Sequence, residues 1–210
     1  MNDYTAATYY LDADNPGVRD FAARSAAGAA TDRDRAIQLY YAVRDGVRYN
    51  PYRFTMERSE YRASFTLSLG EGFCVQKAIL LAAAARSLGV PCRLGFANVV
   101  NHLSTQRLRD LLKTDLFVFH GYVLFRIDGM WVKATPAFDA ALCERFGIHP
   151  LEFDGTADSI FHPLDRAGRK HMEYVRDYGA FDDFPFETMV RESRAHYPHL
   201  ADFFDKSGVP

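Results

Sequence analysis

The segment GEGFCVQ places a cysteine, Cys74, shortly after two glycines, Gly70 and Gly72, and directly before a long apolar run. The run from Val75 to Leu88 consists of good helix formers, so Cys74 is predicted to begin a helix. The free N–H groups and the partial positive charge of a helix N-terminus favour a thiolate over a thiol. Cys74 is therefore a candidate nucleophile with a lowered pKa, and its N–H could bind an oxyanion. The alternative is a small buried hydrophobic residue, as most free cysteines are.

A cysteine nucleophile needs a base. Among the histidines, His120 is predicted to lie in the most rigid element. It lies within the strand-like run FHGYVLFRI, and a strand fixes an imidazole as general-base catalysis requires. The alternative is a partly buried structural histidine. The other six histidines lie in loop-like or helical segments: His102, His149, His162, His171, His196 and His199.

The segment HPLDRAGRKH raises the question of a metal site, because it contains His162, Asp165 and His171. No helical i, i+4 pair and no nearby cysteine supports such a site, so the match to known metal motifs is weak. We expect neither a metal nor a cofactor.

Two residues are candidates for orienting the His120 ring. Asp128 and Gly129 indicate a two-residue hairpin turn, and the register of that hairpin brings Thr135 and Asp139 to either side of the position opposite His120. Both could hold the ring, but only Asp139 would also stabilise a histidine cation. Asp139 is equally suited to cap a helix over the following residues, AALCERFG, and the two roles can coexist.

The predicted elements form an α+β pattern. Helices are predicted from Thr31 or Asp32 to about Gly46, then over 75–88 and 186–197, and strands over 92–100, 119–127 and 130–134. The helix after Cys74 is apolar on most sides, so we expect it to be central and packed on an antiparallel sheet.

The chain divides near residue 140 in this interpretation. Residues 1–140 are predicted to form the catalytic core with its N-terminal helices, and residues 141–210 a C-terminal extension packed on that core. The extension is irregular and rich in His, Asp and Phe. We expect it to bury the back of the sheet rather than to cover a cleft.

The composition excludes several classes of protein. With 210 residues, 48% hydrophobic residues and a net charge of -2, the chain indicates a globular protein without electrostatic attraction to nucleic acid or anionic membranes. No apolar run reaches the roughly 20 residues that span a bilayer, and the N-terminus does not look like a signal peptide. Three cysteines without framework spacing favour free thiols and a cytoplasmic location.

Two stretches, GEGFCVQKAILLAAAARSLGVPCRLGF and FHGYVLFRIDGMWVKATPAFD, resemble the transglutaminase-like superfamily, relatives of the papain-type cysteine proteases. The resemblance covers about residues 35–140. It depends on Cys74, on the segment from Arg86 to Arg93, on His120 and on Trp131. The sequence departs from the family at Thr135, where the family places an Asp; Asp139 is the nearest carboxylate that follows.

The resemblance implies a papain- or transglutaminase-like core that acts on amide or peptide bonds. In this interpretation Cys74 is the nucleophile, His120 the base and Asp139 the residue that orients it, with Gln76 or an aromatic residue of RYNPY assisting at the oxyanion. A thioester acyl-enzyme would form on a peptide or protein amide, and hydrolysis is favoured over amine transfer. The oligomeric state stays open.

Two other interpretations remain. A catalytically degenerate binding or scaffolding module is the main alternative, because of Thr135. A redox or metal protein using Cys74, Cys92 and Cys143 is weaker, because their spacing matches no known motif.

Overall fold

The computed structural model describes residues 4–102, 104–160, 164–206 and 208. Along the chain, these residues form the following helices and strands: α1 (Pro16–Ser25), α2 (Asp32–Gly46), β1 (Arg48–Tyr49), α3 (Ala63–Leu69), β2 (Glu71–Gly72), α4 (Cys74–Ser87), β3 (Cys92–Asn101), α5 (Gln106–Leu112), β4 (Leu116–Ile127), β5 (Met130–Ala134), α6 (Ala140–Phe146), β6 (Met172–Phe181), α7 (Phe186–His196) and α8 (Ala201–Asp205). Short 3-10 helices lie at Pro51–Arg53, Arg58–Tyr61 and Pro198–Leu200.

Helix α4 is the centre of the molecule, as its all-round apolar sequence predicts. Its residues from Cys74 to Arg86 are buried, and it packs on β4 as well as on the three helices that precede it. Gly89 follows the last turn with a φ of 76°, a left-handed conformation in which glycine ends helices. The predicted helix over 75–88 is thus confirmed to within one residue.

The main sheet is antiparallel and has the order β5-β4-β3-β6. Asp128 and Gly129 have φ values of 52° and 83°, as the tight β4–β5 turn requires. The predicted register is confirmed over the paired residues, from Ile127↔Met130 to Val123↔Ala134. Beyond Ala134 the chain leaves the sheet. The α+β class with a central helix on an antiparallel sheet is confirmed.

Strand β6 was not among the predicted strands. It pairs with β3 along almost its whole length, although most of its side chains are exposed. Its sequence, MEYVRDYGAF, therefore lacks the regular apolar alternation by which a half-buried strand is recognised.

Gly121 allows α4 to pack directly on β4. A Cβ at this position would lie 3.0 Å from the Val75 Cα and 3.3 Å from both the Ala78 Cβ and the Cys74 carbonyl oxygen. Such distances are shorter than ordinary carbon contacts. The first turn of α4 and the centre of β4 are thus in backbone contact.

Arg86 holds the other end of α4 in place. Its buried guanidinium donates to the carbonyl oxygens of Ala6 at 2.8 Å, Cys92 at 2.9 Å and Asp182 at 2.7 Å. These three carbonyls belong to the N-terminal segment, to the start of β3 and to the chain after β6. A single side chain therefore connects three segments to the helix, two of them distant in the sequence.

The C-terminal helices pack beside β4. The Tyr197 hydroxyl accepts from the Val118 N–H at 2.8 Å and donates to the Leu116 carbonyl at 2.9 Å. Phe204 of α8 is fully buried. The part of the chain that the structure describes contains no helix of the length and apolarity needed to cross a membrane.

Candidate active site

Cys74 is the first residue of α4, and a side chain in the same turn holds that position. The Gln76 side-chain oxygen accepts from the Phe73 N–H at 3.2 Å, and its amide nitrogen donates to the Glu60 carbonyl at 3.0 Å. Gln76 is completely buried. Its amide thus supports the start of the helix, which differs from the expected role at the oxyanion.

His120 is aimed by an irregularity in β4. The register with β3 shifts by one residue between Ala97↔His120 and Val99↔Phe117, which is a β-bulge. Within the bulge, Phe119 has a φ of 63° and donates its N–H to the Asn98 side-chain oxygen at 3.0 Å. Positive φ at a phenylalanine is strained, and the Asn98 bond offsets part of the cost.

Cys74 and His120 line the same cavity, which has a volume of about 320 Å³. We call it the thiol cavity. It lies between the start of α4, the first half of β4, α5 and the C-terminal helices. Residues between Met189 and Phe204, in the predicted extension, therefore line this cavity, whereas the sequence favoured a position on the back of the sheet.

Burial favours the neutral forms of both Cys74 and His120, whereas the sequence predicted a thiol that ionises easily. It raises the pKa of Cys74 to about 11, although the N–H groups of Gly121, Val75 and Cys74 itself act to lower it. Burial also lowers the pKa of His120 to about 3. The prediction of a lowered thiol pKa was therefore wrong, because desolvation of the sulfur outweighs the helix N-terminus.

Asp139 is not among the residues that line the thiol cavity. Its carboxylate caps α6 by accepting from the Leu142 N–H at 2.7 Å, so the predicted cap is confirmed. The other oxygen accepts from the Tyr49 N–H at 3.5 Å. Tyr49 itself lines the cavity, so Asp139 is connected to it through this backbone bond.

Thr135 is the other candidate for orienting the histidine. It follows the last residue of β5, and its N–H donates to the Ser159 carbonyl at 3.0 Å. The Thr135 hydroxyl is buried, and no residue that the structure describes forms a hydrogen bond with it. Thr135 does not line the thiol cavity.

Tyr49 lines the thiol cavity, whereas Lys77 is buried nearby in the chain but does not line it. Burial raises the pKa of the Tyr49 hydroxyl well above its usual value, so it remains a hydrogen-bond donor. Lys77, one turn after Cys74, donates to the Arg44 and Val47 carbonyls at 2.8 and 2.6 Å. Burial lowers its pKa to about 7. Lys77 is the single charge in the otherwise uncharged run from Val75 to Ala85, and its two bonds join α4 to the end of α2.

The remaining histidines are dispersed. His102 contacts Glu173 at 2.8 Å, and His171 is buried in a ring contact with Phe138. His162 of the weak metal motif lies outside the described residues. Within the ranges that the structure covers, no three His, Cys, Asp or Glu residues are grouped closely enough to hold a metal ion.

A family model described as the transglutaminase-like superfamily matches residues 19–136, which is more than half of the chain. No curated protein matches the chain. The chain therefore belongs to the transglutaminase-like superfamily. The match includes Cys74 and His120 but ends before Asp139.

Two solved structures are similar to the chain. One is a candidate cysteine protease from Cytophaga hutchinsonii, with 17% identity, a TM-score of 0.49 and coverage of 86% of this chain and 56% of that one. The other is a candidate protease from Parabacteroides distasonis, with 14% identity, a TM-score of 0.41 and coverage of 60% and 26%. This chain thus spans about half of the first protein and about a quarter of the second.

Proposed function

We propose that the protein is a cysteine enzyme that acts on amide or peptide bonds, with Cys74 as nucleophile and His120 as base. The observation that carries the proposal is the position of both side chains in one cavity, with the thiol at the start of α4. Family membership supports it. Asp139 is proposed as the positioning residue that orients the His120 ring.

In the proposed reaction, the neutral thiol gives its proton to the His120 ring while the sulfur attacks the carbonyl carbon. The Cys74 N–H and the Tyr49 hydroxyl are the proposed donors to the oxyanion. The C–N bond then breaks, the leaving amine takes the proton from the imidazolium, and a thioester remains on Cys74. Water attacks the thioester and yields a carboxylic acid and the free thiol.

Acylation of Cys74 is the direct test. The protein is incubated with 4-nitrophenyl butyrate, whose ester reports the same acyl transfer, and the intact mass is measured. Wild type is expected to release nitrophenolate and gain one butyryl group, and Cys74→Ala to do neither. Cys143→Ala is the matched control, since this cysteine is also buried but lies outside the cavity. Equal labelling of Cys74→Ala and wild type would refute the proposal.

The acceptor of the acyl group is tested separately. Hydrolysis in H₂¹⁸O with an added primary amine distinguishes acid from amide products by mass. We favour labelled acid as the main product. A predominance of amide would establish amine transfer and would leave the nucleophile assignment intact.

A binding or scaffolding module is the second candidate. The observation in its favour is that the hydrogen bonds of the Asp139 carboxylate are made with the Tyr49 and Leu142 backbones. The family position of the third catalytic residue is occupied by Thr135. If no activated ester acylates Cys74, this second function becomes the preferred one.

A further inference from the structure

The thiol cavity has a wall without charge. Among the described residues that line it, none is an Asp, Glu, Lys or Arg. Aromatic and aliphatic side chains form most of the wall, in particular Phe54, Phe73, Met189, Leu200 and Phe204. Phe54 connects the two sides, since its ring lies 5.7 Å from that of Phe73 and 6.0 Å from that of Phe204.

Two of the hydroxyl groups in the wall already have partners within the protein. The Tyr197 hydroxyl is occupied by the Val118 N–H and the Leu116 carbonyl. The Ser193 hydroxyl lies 3.7 Å from the Met189 sulfur. A charged acyl group would lose its hydration here without gaining a charged partner, which is costly.

A second cavity of about 410 Å³ adjoins the first and has a different character. The two share Tyr49, Tyr52 and Phe117, but the second contains Arg48 and Arg145 in place of the thiol. The polar part of a substrate therefore has a separate place to bind. Only the uncharged cavity is next to the reactive sulfur.

On the basis of the proposed function, we infer that the substrate carries a bulky, uncharged aromatic or branched aliphatic acyl group on the carbonyl that Cys74 attacks. The volume of about 320 Å³ is at the lower end of ligand cavities, which suits one group of this size rather than a long chain. The C-terminal helices and α5 would select it. The specificity of this chain thus depends in part on residues outside the segment that matches the family model.

A series of 4-nitrophenyl esters tests the inference. Acetyl, butyryl, 3-phenylpropionyl and succinyl esters differ in acyl size and charge but share one leaving group. We expect kcat/KM for acylation to rise about fourfold per buried methylene, to be at least about tenfold higher for 3-phenylpropionyl than for acetyl, and to be lowest for succinyl. Equal rates, or a preference for succinyl, would overturn the inference while Cys74 is still acylated. Failure of every ester to acylate Cys74 would instead refute the proposed function, and the inference with it.

A substitution in the wall of the thiol cavity provides a second test of the inference. Leu111 lines the thiol cavity and is 45% exposed, so Leu111→Arg can add a cation without disturbing the core. We expect the ratio of succinyl to acetyl acylation to increase at least about fivefold. Met130→Arg is the matched control, because Met130 is 58% exposed and lies outside the cavity lining. Equal ratios in the two variants would contradict the inference.

Discussion

Cys74 and His120 are buried neutral groups, and this determines how the proposed reaction could begin. With the thiol pKa near 11 and the imidazole pKa near 3, the thiol–imidazole form is favoured over the ion pair. Proton transfer must then accompany the attack on the carbonyl, as in serine hydrolases, rather than precede it. The helix N-terminus would act mainly on the oxyanion.

The first prediction concerns the alkylation of Cys74 by iodoacetamide across pH. A raised pKa means that the thiolate fraction is negligible at pH 6 and keeps increasing from pH 9 towards pH 11. We expect the labelling rate, measured by mass spectrometry, to follow this increase. A plateau already reached at pH 7 would show an ionised cysteine and would contradict the structure.

The second prediction distinguishes Asp139 from Thr135. Asp139→Asn keeps a good helix cap but removes the charge, so we expect kcat to fall at least about tenfold with little change in the unfolding temperature. Thr135→Val should change kcat less than about twofold, since its hydroxyl makes no hydrogen bond to any described residue. Esterase assays with full pH profiles measure both. Equal, small effects would leave Asp139 without support as the residue that orients His120.

The residues of the site could be predicted to different degrees. The positions of Cys74 at a helix start and of His120 on a strand were predictable because both elements have strong local patterns. The thiol pKa was not predictable, because its sign depends on the depth of burial. Depth depends on Gly121 and on the C-terminal helices, which are far from Cys74 in the sequence.

At the scale of elements, local signals were sufficient for α4 and for the β4–β5 hairpin. The turn residues Asp128 and Gly129 set the register, and the apolar run set the helix. The bulge at Phe119 was not predictable, since it depends on the amide of Asn98 on the neighbouring strand. Strand β6 was missed because an exposed edge strand has weak alternation.

The third prediction concerns the contact between α4 and β4. Gly121→Ala would place a Cβ against Val75, Ala78 and the Cys74 carbonyl, so the helix start must move away from the sheet. We expect a loss of about 1–3 kcal/mol in the free energy of unfolding and at least about a tenfold loss of acylation rate.

Gly46→Ala is the control for this substitution. A Cβ at Gly46 meets no atom within 4 Å, so urea unfolding should be unchanged or slightly stabilised. If Gly121→Ala unfolded at the same urea concentration as wild type, the close packing at Gly121 would be disproved.

At the scale of the whole molecule, we propose that residues 141–210 are an extension on a core formed by residues 1–140. The extension is joined to the core by the pairing of β6 with β3, for example at Leu94↔Phe181. It also forms one side of the thiol cavity. The proposed active site therefore requires both parts of the chain.

The fourth prediction tests this connection through Tyr197. Tyr197→Phe removes the hydroxyl that bonds the Val118 N–H and the Leu116 carbonyl, and this should cost about 1–3 kcal/mol. We expect the single unfolding transition to shift as a whole in urea. Tyr9→Phe is the control, because Tyr9 is 53% exposed.

The hydrogen-exchange rate of the Val118 amide could contradict this prediction. Fast exchange of this amide with an unchanged urea midpoint would show that the extension opens independently of the core.

The hydrogen bonds of the Arg86 guanidinium to three carbonyl oxygens have a consequence for the evolution of the chain. With one end of α4 fixed to three carbonyls, the residues between Arg86 and Cys74 act as a spacer of constant length and phase. Insertion or loss of one alanine in the run Ala82–Ala85 would turn the sulfur by about 100° around the helix axis and shift it by about 1.5 Å. Relatives that retain a cysteine at the start of α4 and an arginine at its end should therefore tolerate substitutions in the run but no change in its length.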